Sequence, residues 1–272
     1  MPVSEHAVGG PAPDCASCPL GPAGHPPRRT LHPDRWWLRP VLTGAVLAAA
    51  AGYSSWAAWQ TTNYTAGPYI SPIFSPCLAA ICGRHADVVL LGPWWRLSPA
   101  LVVVGFPIGL RATCYYYRKV YYRSFWLSPP ACAVSEPHRH YSGESRFPLL
   151  LQNIHRYLWY AGLLVAAVLS LDAVRSFHFA TGWGIGLGSL VLTANALFFW
   201  GYMLSCHSCR HLVGGGLRTL SPHPVRRRLW SAASSLNARH PVFAWLSLPT
   251  VVLTDLYVRL LATGVLHDPR LF

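Results

Sequence analysis

Residues 183–205 read WGIGLGSLVLTANALFFWGYMLS and are followed directly by residues 206–211, CHSCRH. The first segment is apolar and carries no charged residue. As a helix it is long enough to cross a hydrocarbon core of about 30 Å, which takes about 20 residues. The second segment places two thiols, two imidazoles and a guanidinium at the end of that helix. Together they predict a transmembrane helix that ends in soft metal ligands at a membrane edge.

The rest of the chain has the same apolar character. Of its 272 residues, 52% are hydrophobic and 11% are charged, which is typical of an integral membrane protein. Gly105, Pro107 and Gly109 interrupt one apolar run, but kinks are tolerated where neighbouring helices satisfy the backbone. The sequence therefore predicts an all-α integral membrane protein with five transmembrane helices. The four further apolar runs are residues 41–60, 97–113, 149–171 and 241–264.

The net charge of +13 is explained by topology. If the N-terminus is cytoplasmic, most of the 22 lysine and arginine residues fall on the inner side. Such a bias orients a multi-pass protein of the inner (cytoplasmic) membrane with its N-terminus inside and its C-terminus outside. We therefore do not predict nucleic-acid binding. The basic residues that fall on the outer side or within the last helix are Arg84, Arg96, Arg175, Arg259 and Arg270.

The chain divides into a tail and a membrane domain. Residues 1–35 are rich in proline, glycine and alanine and lack periodicity, which predicts a disordered cytoplasmic tail without a signal peptide. Residues 36–272 form the predicted five-helix membrane domain. The tail contains Cys15 and Cys18 in a CxxC pattern, a weak zinc signal without a second pair.

Two cysteines, Cys77 and Cys82, fall in the predicted outer loop. They either form a disulfide or stay apart, since so short a loop does not always meet the required geometry. Cys82 and His85 have the Cys-x-x-His spacing of a ligand box, but a single box is weak evidence for a metal.

Soft ligands recur at the inner ends of several predicted helices. If the helices alternate in direction, Cys114, His155 and His240 lie at the same membrane level as residues 206–211. An ionisable side chain at membrane depth is costly, so each is a candidate functional residue. The alternative is that these cysteines are small core residues and the histidines are interfacial hydrogen bonders.

Residues 206–211 have helical spacing. If the fourth helix continues through them, Cys206 and Cys209 share one face, and His207 and His211 share the neighbouring face. Two thiolates and two imidazoles can hold zinc or a Rieske-type 2Fe-2S cluster, whereas paired histidines can ligate haem. The sequence does not choose among these groups.

A basic and aromatic run occupies residues 111–126. It is a membrane-anchoring belt, a docking surface or a quinone-headgroup pocket, since tyrosine and arginine can donate to a quinone carbonyl while aromatic rings pack against the quinone ring. Residues 149–160 add histidine, arginine and tryptophan within about three helical turns. The quinone-site candidates are Tyr115, Arg118, Trp126, Arg156 and Trp159.

The last predicted helix carries Asp255 and Arg259 four residues apart, a spacing that allows an ion pair on one helix face. A buried pair that fixes helix packing is the preferred interpretation over a proton relay. Asp172 and Arg175 lie near the same outer level.

Several long stretches of the sequence carry a resemblance to a known family. They are residues 69–78, YISPIFSPCL, 114–132, CYYYRKVYYRSFWLSPPAC, 146–157, RFPLLLQNIHRY, and 204–215, LSCHSCRHLVGG, together with residues 255–260, DLYVRL. These stretches resemble the membrane-anchor subunit of actinobacterial succinate dehydrogenases. The resemblance implies a single-chain anchor with five helices.

The resemblance implies a membrane-anchor subunit that docks a flavoprotein and an iron-sulfur subunit and carries electrons to a membrane quinone. Such anchors often hold haem b between paired histidines, but the ligand set here is rich in cysteine. A Rieske-type 2Fe-2S cluster is therefore the first choice and haem b the second. The competing class is a transporter or metal-handling membrane protein without soluble partners. The expected cluster ligands are Cys206 and Cys209 with His155 and His240, and Cys114 and His211 as substitutes.

Overall fold

A computed structural model defines most of the membrane domain. Its described part is mostly helical and includes three antiparallel pairs of short strands. Residues 1–34 of the predicted tail, with Cys15 and Cys18, lie outside it, as do Cys77, Cys82 and His85. The described residues are 35–60, 62–75, 88–89, 96–97, 99–127, 147 and 149–272.

Eight α-helices are present in these residues. A π-helical turn, Tyr122–Trp126, follows α3, and a 3-10 helix, Leu149–Ile154, precedes α4. The α-helices are α1 Leu38–Trp59, α2 Pro99–Ala112, α3 Tyr115–Tyr121, α4 His155–Arg175, α5 Leu187–Leu204, α6 His207–Gly214, α7 Pro224–Asn237 and α8 His240–Ala262. The strand pairs are β1 Thr65–Ala66 with β2 Tyr69–Ile70, β3 Val88–Val89 with β4 Arg96–Leu97, and β5 His178–Phe179 with β6 Gly182–Trp183.

Four helical segments are long and apolar enough to cross a membrane. The predicted multi-pass helical membrane protein is thereby confirmed. The remaining predicted span coincides with α2, whose 14 residues extend about 21 Å, less than the about 30 Å of a hydrocarbon core. Helix length therefore supports four of the five predicted spans. The four segments are Leu38–Trp59, Leu150–Arg175, Leu187–Leu204 and His240–Ala262.

The core of the bundle lies between α4, α5 and α8, and α2 packs against α4. Gly162 in α4 faces Met203 of α5 and Leu110 of α2. A Cβ atom added there would lie 2.9 Å from the Met203 methyl and 3.1 Å from a Leu110 methyl. Small residues let membrane helices approach closely, and Gly162 serves that purpose here.

Helix α1 lies at the edge of the bundle, and much of its apolar surface is exposed. Exposed tryptophans mark its two ends, Trp37 at the start and Trp59 at the end. Tryptophan favours the level of the lipid headgroups, so these side chains indicate where the two interfaces lie.

The two ends of the bundle differ in chemistry. At one end, Ala112 closes α2 and Leu204 closes α5, and both helix ends meet the beginnings of α4 and α8. The opposite end is covered by residues 62–75, the β5–β6 hairpin and the C-terminal segment, where Leu271 and Ile185 are joined by a backbone hydrogen bond of 2.8 Å. Among the described residues, Cys114, Cys206, His155 and His240 lie at the first end, and Asp172 and Asp255 lie at the second.

The fourth predicted helix does not continue through the ligand cluster. Helix α5 ends at Leu204, Cys206 is extended with φ −65° and ψ 145°, and α6 begins at His207. Cys206 and Cys209 are therefore not aligned on one continuous helix face. The backbone is extended in the same way at Cys114, between α2 and α3, with φ −68° and ψ 128°.

The carboxylate end contains the expected ion pair. Arg259 Nε lies 2.7 Å from Asp255 Oδ2, and both side chains are buried. Asp172 lies 4.0 Å from Arg175, whose side chain is 76% exposed. Ser71 donates to Asp255 and Ser75 to Asp172, so one loop is fixed to two helices. These contacts fit a structural role for the pair.

Candidate functional site

Two histidines at helix beginnings face two cysteines at helix breaks. His155 Nε2 lies 3.2 Å from Cys206 Sγ, and His240 Nε2 lies 3.4 Å from Cys114 Sγ. All four side chains are buried. Each pair joins elements far apart in sequence, so the site exists only in the packed bundle.

A hydroxyl group fixes the tautomer of His155. Thr113 Oγ1 donates to a backbone carbonyl of α2 at 2.8 Å and lies 2.9 Å from His155 Nδ1. Because the hydroxyl hydrogen points to the carbonyl, its oxygen accepts from Nδ1–H. The tautomer inferred from this network leaves the lone pair of Nε2 directed at Cys206.

Ser205 fixes the tautomer of His240 in the same way. Its Oγ lies 3.1 Å from a backbone carbonyl of α5 and 2.8 Å from His240 Nδ1. The lone pair of His240 Nε2 is then free and faces Cys114. Hydrogen bonds to the distal imidazole nitrogen are the usual support of a metal-binding histidine.

Each cysteine occupies the N-cap of a short helix, Cys114 of α3 and Cys206 of α6. The partial positive charge of a helix N-terminus favours a thiolate. In the protein without a metal, burial raises the pKa of the Cys206 thiol to about 11, and Cys114 contributes in the same direction. Cys206 is therefore a protonated thiol at neutral pH, and a bound metal ion would displace its proton.

These residues line a cavity of about 970 Å³. Aromatic and polar side chains form the rest of its wall, which suits an organic molecule with an apolar body and a polar head. The lining residues besides the two cysteine–histidine pairs are Tyr115, Tyr116, Gln152, Asn153, Arg156, Tyr157, Tyr160, His207, Ser208, Asn237 and Pro241.

Three of the quinone-site candidates lie at or beside this cavity. Tyr115 and Arg156 line it, and the Arg118 guanidinium lies 4.7 Å from the centre of the Tyr115 ring. Trp159 is buried and donates to the Met203 carbonyl at 3.0 Å. Trp126 is half exposed in the π-helical turn, and neither tryptophan is among the lining residues.

The remaining predicted metal ligands lie elsewhere on α6. Cys209 is half-buried and does not line the cavity. His211 is exposed, and its Nδ1 lies 3.3 Å from an Arg156 nitrogen. The structure therefore brings Cys114, His155, Cys206 and His240 together, with Cys114 in the position expected for Cys209.

Some site residues were not predicted from the sequence. Thr113 and Ser205 each immediately precede a cysteine, but Ser17 and Ser208 do so as well, so this pattern alone does not identify the site. His207, which the sequence had offered as a candidate ligand, also lines the cavity, and burial and Arg210 lower its pKa.

Arg111 is a further unpredicted neighbour of the site. Its guanidinium lies 5.2 Å from the centre of the Tyr202 ring and donates to Ser247 Oγ at 3.1 Å. The Tyr202 ring stacks on His240 at a centroid distance of 5.0 Å. The Tyr202 ring therefore contacts both the positively charged Arg111 guanidinium and the His240 ring.

The donors form two pairs. Among the described residues, no three histidine, cysteine, aspartate or glutamate side chains are arranged to hold one metal ion together. The total donor set, two thiols and two imidazoles, equals that of a Rieske-type cluster.

Fold and site together define a multi-pass helical membrane protein with buried thiols, imidazoles and a large cavity at one end. The chain belongs to the family of the actinobacterial succinate dehydrogenase subunit SdhC, whose model matches residues 38–264. A chain of the Mycobacterium smegmatis Sdh1 complex in the apo form is 46% identical, with a TM-score of 0.82 over 93% of this chain and 97% of that chain. No significant match was found among curated proteins.

Family membership confirms the function predicted from the sequence. The chain is the membrane-anchor subunit of a succinate dehydrogenase complex and therefore part of an electron-transport enzyme. Its partners are the flavoprotein and iron-sulfur subunits, a membrane quinone and the lipid bilayer. The competing class, a transporter or metal-handling protein without soluble partners, does not apply.

Proposed function

We propose that this anchor holds a Rieske-type 2Fe-2S cluster between the soluble iron-sulfur subunit and a membrane quinone. The proposed ligands are Cys114, Cys206, His155 and His240. The observation that carries the proposal is that each histidine Nε2 faces a cysteine sulfur, His155 at 3.2 Å from Cys206 and His240 at 3.4 Å from Cys114. Cys114 thus takes the place that the sequence assigned to Cys209.

The residues present fit such a group. Both cysteines lie at helix N-termini, where negative charge is stabilised, and both histidines have hydrogen-bonded Nδ1 atoms. When bound, the cluster would accept and release one electron at a potential set by its ligands and surroundings. The chain itself supplies the ligands, fixes their orientation and excludes bulk water by burial.

Haem b is the second candidate. It is favoured by one observation, the presence of two histidine Nε2 atoms in the wall of one cavity of about 970 Å³. It leaves the two buried thiols, each beside one of those nitrogens, without a role. For that reason we place the 2Fe-2S cluster first.

We further propose that the quinone ring enters the same cavity. Tyr115 and Arg156 supply donors to a quinone carbonyl, and Tyr157 and Tyr160 supply aromatic surface. Gln152 also lines the cavity, and its Oε1 is buried without a hydrogen-bond partner among the described residues. That oxygen is an acceptor suited to the hydroxyl of a reduced quinol.

The proposed orientation has a cytoplasmic N-terminus and five spans in the inner membrane. Two contacts support it. Trp36, at the start of α1, lines a cavity with Tyr116 at the cysteine end of the bundle, whereas Phe272 bonds to Ile185 at the opposite end. Because these contacts put the two ends of the chain on opposite sides of the bundle, the proposed number of spans is odd, and α2 is the short span. The soluble partners then dock at the cysteine end.

The ligand set is tested with three single variants in the purified complex. Cys114→Ser and Cys206→Ser are expected to abolish the EPR signal of a reduced 2Fe-2S centre with Rieske-type g values. Cys209→Ser is the matched control, from the same cluster of sequence, and is expected to keep that signal. A haem Soret band, or loss of the signal in Cys209→Ser but not in Cys114→Ser, would refute the assignment.

A further inference from the structure

A second cavity, of about 530 Å³, opens beside the start of α1. Arg35 and Arg39 contribute from the beginning of that helix and Arg123 from the π-helical turn. Trp36 and Trp245 form aromatic walls. The Trp245 indole donates to the Tyr116 hydroxyl at 2.7 Å, which fixes the wall that this cavity shares with the larger one.

The charged side chains of the described residues that line this second cavity are all positive. Three guanidinium groups line it, and its lining includes no aspartate or glutamate from the described residues. Within the described part of the chain, no hydrogen bond or ion pair engages the side chains of Arg35, Arg39 or Arg123. The first turn of α1 has no acidic residue, so no carboxylate there offsets the three guanidinium charges.

The position of the cavity indicates which kind of anion it binds. Helix α1 is a membrane span, and Trp36 and Trp37 at its start mark the headgroup level. Directly beyond the arginines, Val41 and Leu42 expose more than half of their surface. A ligand with phosphate at the arginines and hydrocarbon along α1 meets both features. Basic pockets between membrane helices are the usual sites for anionic phospholipid headgroups.

We propose that this cavity binds the phosphate headgroup of an anionic phospholipid. The guanidiniums of Arg35, Arg39 and Arg123 bind the phosphate oxygens, and Trp36 and Trp245 pack against the glycerol region. The lipid joins α1 to α3 and α8, next to the thiol–imidazole site, without taking part in electron transfer. The proposal does not depend on which cofactor occupies that site.

The test uses the purified, delipidated succinate dehydrogenase complex in detergent, with fluorescently labelled cardiolipin as the probe. We expect saturable binding that unlabelled cardiolipin and phosphatidylglycerol displace and that phosphatidylcholine and inorganic phosphate do not. The triple variant R35Q/R39Q/R123Q is expected to weaken binding at least about tenfold, since each basic residue near an anionic headgroup contributes about fivefold. The triple variant R35K/R39K/R123K keeps the charges and should bind to within about threefold of the wild type.

A matched control removes three other exposed arginines, in R218Q/R227Q/R228Q, and should change cardiolipin binding less than about twofold. Equal weakening by the two glutamine triples would overturn the proposal, because net charge alone would then explain it. Displacement by inorganic phosphate as effective as by lipid would overturn the lipid assignment. Loss of the soluble subunits from R35Q/R39Q/R123Q with unchanged lipid binding would instead identify a protein-docking surface.

Discussion

Two hydroxyl–cysteine dipeptides, Thr113–Cys114 and Ser205–Cys206, build the site in the same way. In each, a helix ends, the hydroxyl holds a histidine Nδ1, and the next residue places its sulfur at the N-terminus of a new helix. Within each dipeptide, the hydroxyl and the sulfur contact different histidines. Thr113 orients His155, which faces Cys206. Ser205 orients His240, which faces Cys114. The two dipeptides are thereby interlocked.

Loss of either hydroxyl is expected to weaken cofactor binding. In Thr113→Val and Ser205→Ala the histidine Nδ1–H loses its acceptor, and the ring is no longer held with Nε2 unprotonated. Loss of such a supporting hydrogen bond typically lowers metal affinity about 10- to 100-fold. The measurement is iron per complex after dialysis against a chelator, together with the EPR spectrum.

Thr193→Val is the control for these variants, because the Thr193 hydroxyl donates only to a backbone carbonyl within α5. It should retain the iron content of the wild type. Wild-type iron retention in both Thr113→Val and Ser205→Ala would show that neither hydroxyl supports a metal ligand.

Among the structural elements, the last helix carries the strongest polar anchor. Arg259 bonds to Asp255, donates to the carbonyls of Ala57 and Thr62, and lies between the rings of Trp56 and Phe74. Its contacts join α8 to the end of α1 and to the following loop. Because the pair is buried, removal of one partner leaves the other charge without compensation.

Arg259→Gln is therefore expected to destabilise the subunit by about 3–5 kcal/mol, the typical cost of an unpaired buried charge. Arg175→Gln is the matched control: its side chain is 76% exposed and its partner Asp172 lies 4.0 Å away, so the expected cost is below about 1 kcal/mol. Thermal unfolding of the purified complexes measures both. Equal shifts in Tm for the two variants would contradict a special role for the buried pair.

At the scale of the whole molecule, the described part of the chain has its buried cysteine–histidine pairs at one end of the bundle and Asp172 and Asp255 at the other. The N-terminal end of α1 is on the cysteine side, and the C-terminal segment packs against residues 185–187 on the opposite side. This polarity agrees with the distribution of arginine along the sequence.

Reporter fusions test that polarity. Alkaline phosphatase is active only outside the cytoplasm, so a fusion after Phe272 is expected to be active and a fusion after Gly216, between α6 and α7, to be inactive. A fusion with a cytoplasmic reporter should give the opposite pattern at both positions. Phosphatase activity at Gly216, or its absence at Phe272, would contradict the five-span topology with an internal N-terminus.

The apolar runs, the charge bias and the residue types of the site could be read from the sequence because each is a local property. The break at Cys206 could not, because residues 204–211 contain no proline or glycine that would predict the end of a helix. The preference for Cys209 over Cys114 followed from that assumed helix. The tertiary contacts of Cys114, with a histidine more than a hundred residues away, have no local signal.

The sequence by itself determined that the chain lies in a membrane, which family it belongs to, and that histidine and cysteine gather near one edge. Burial of apolar side chains and the cost of charge in lipid are enough to decide those points. Only the tertiary structure decided that residues 206–211 supply a single cavity-facing thiol, at Cys206, and that Cys114 supplies the second. Helix packing determines which side chains meet, and it depends on close contacts such as that of Gly162 with Met203.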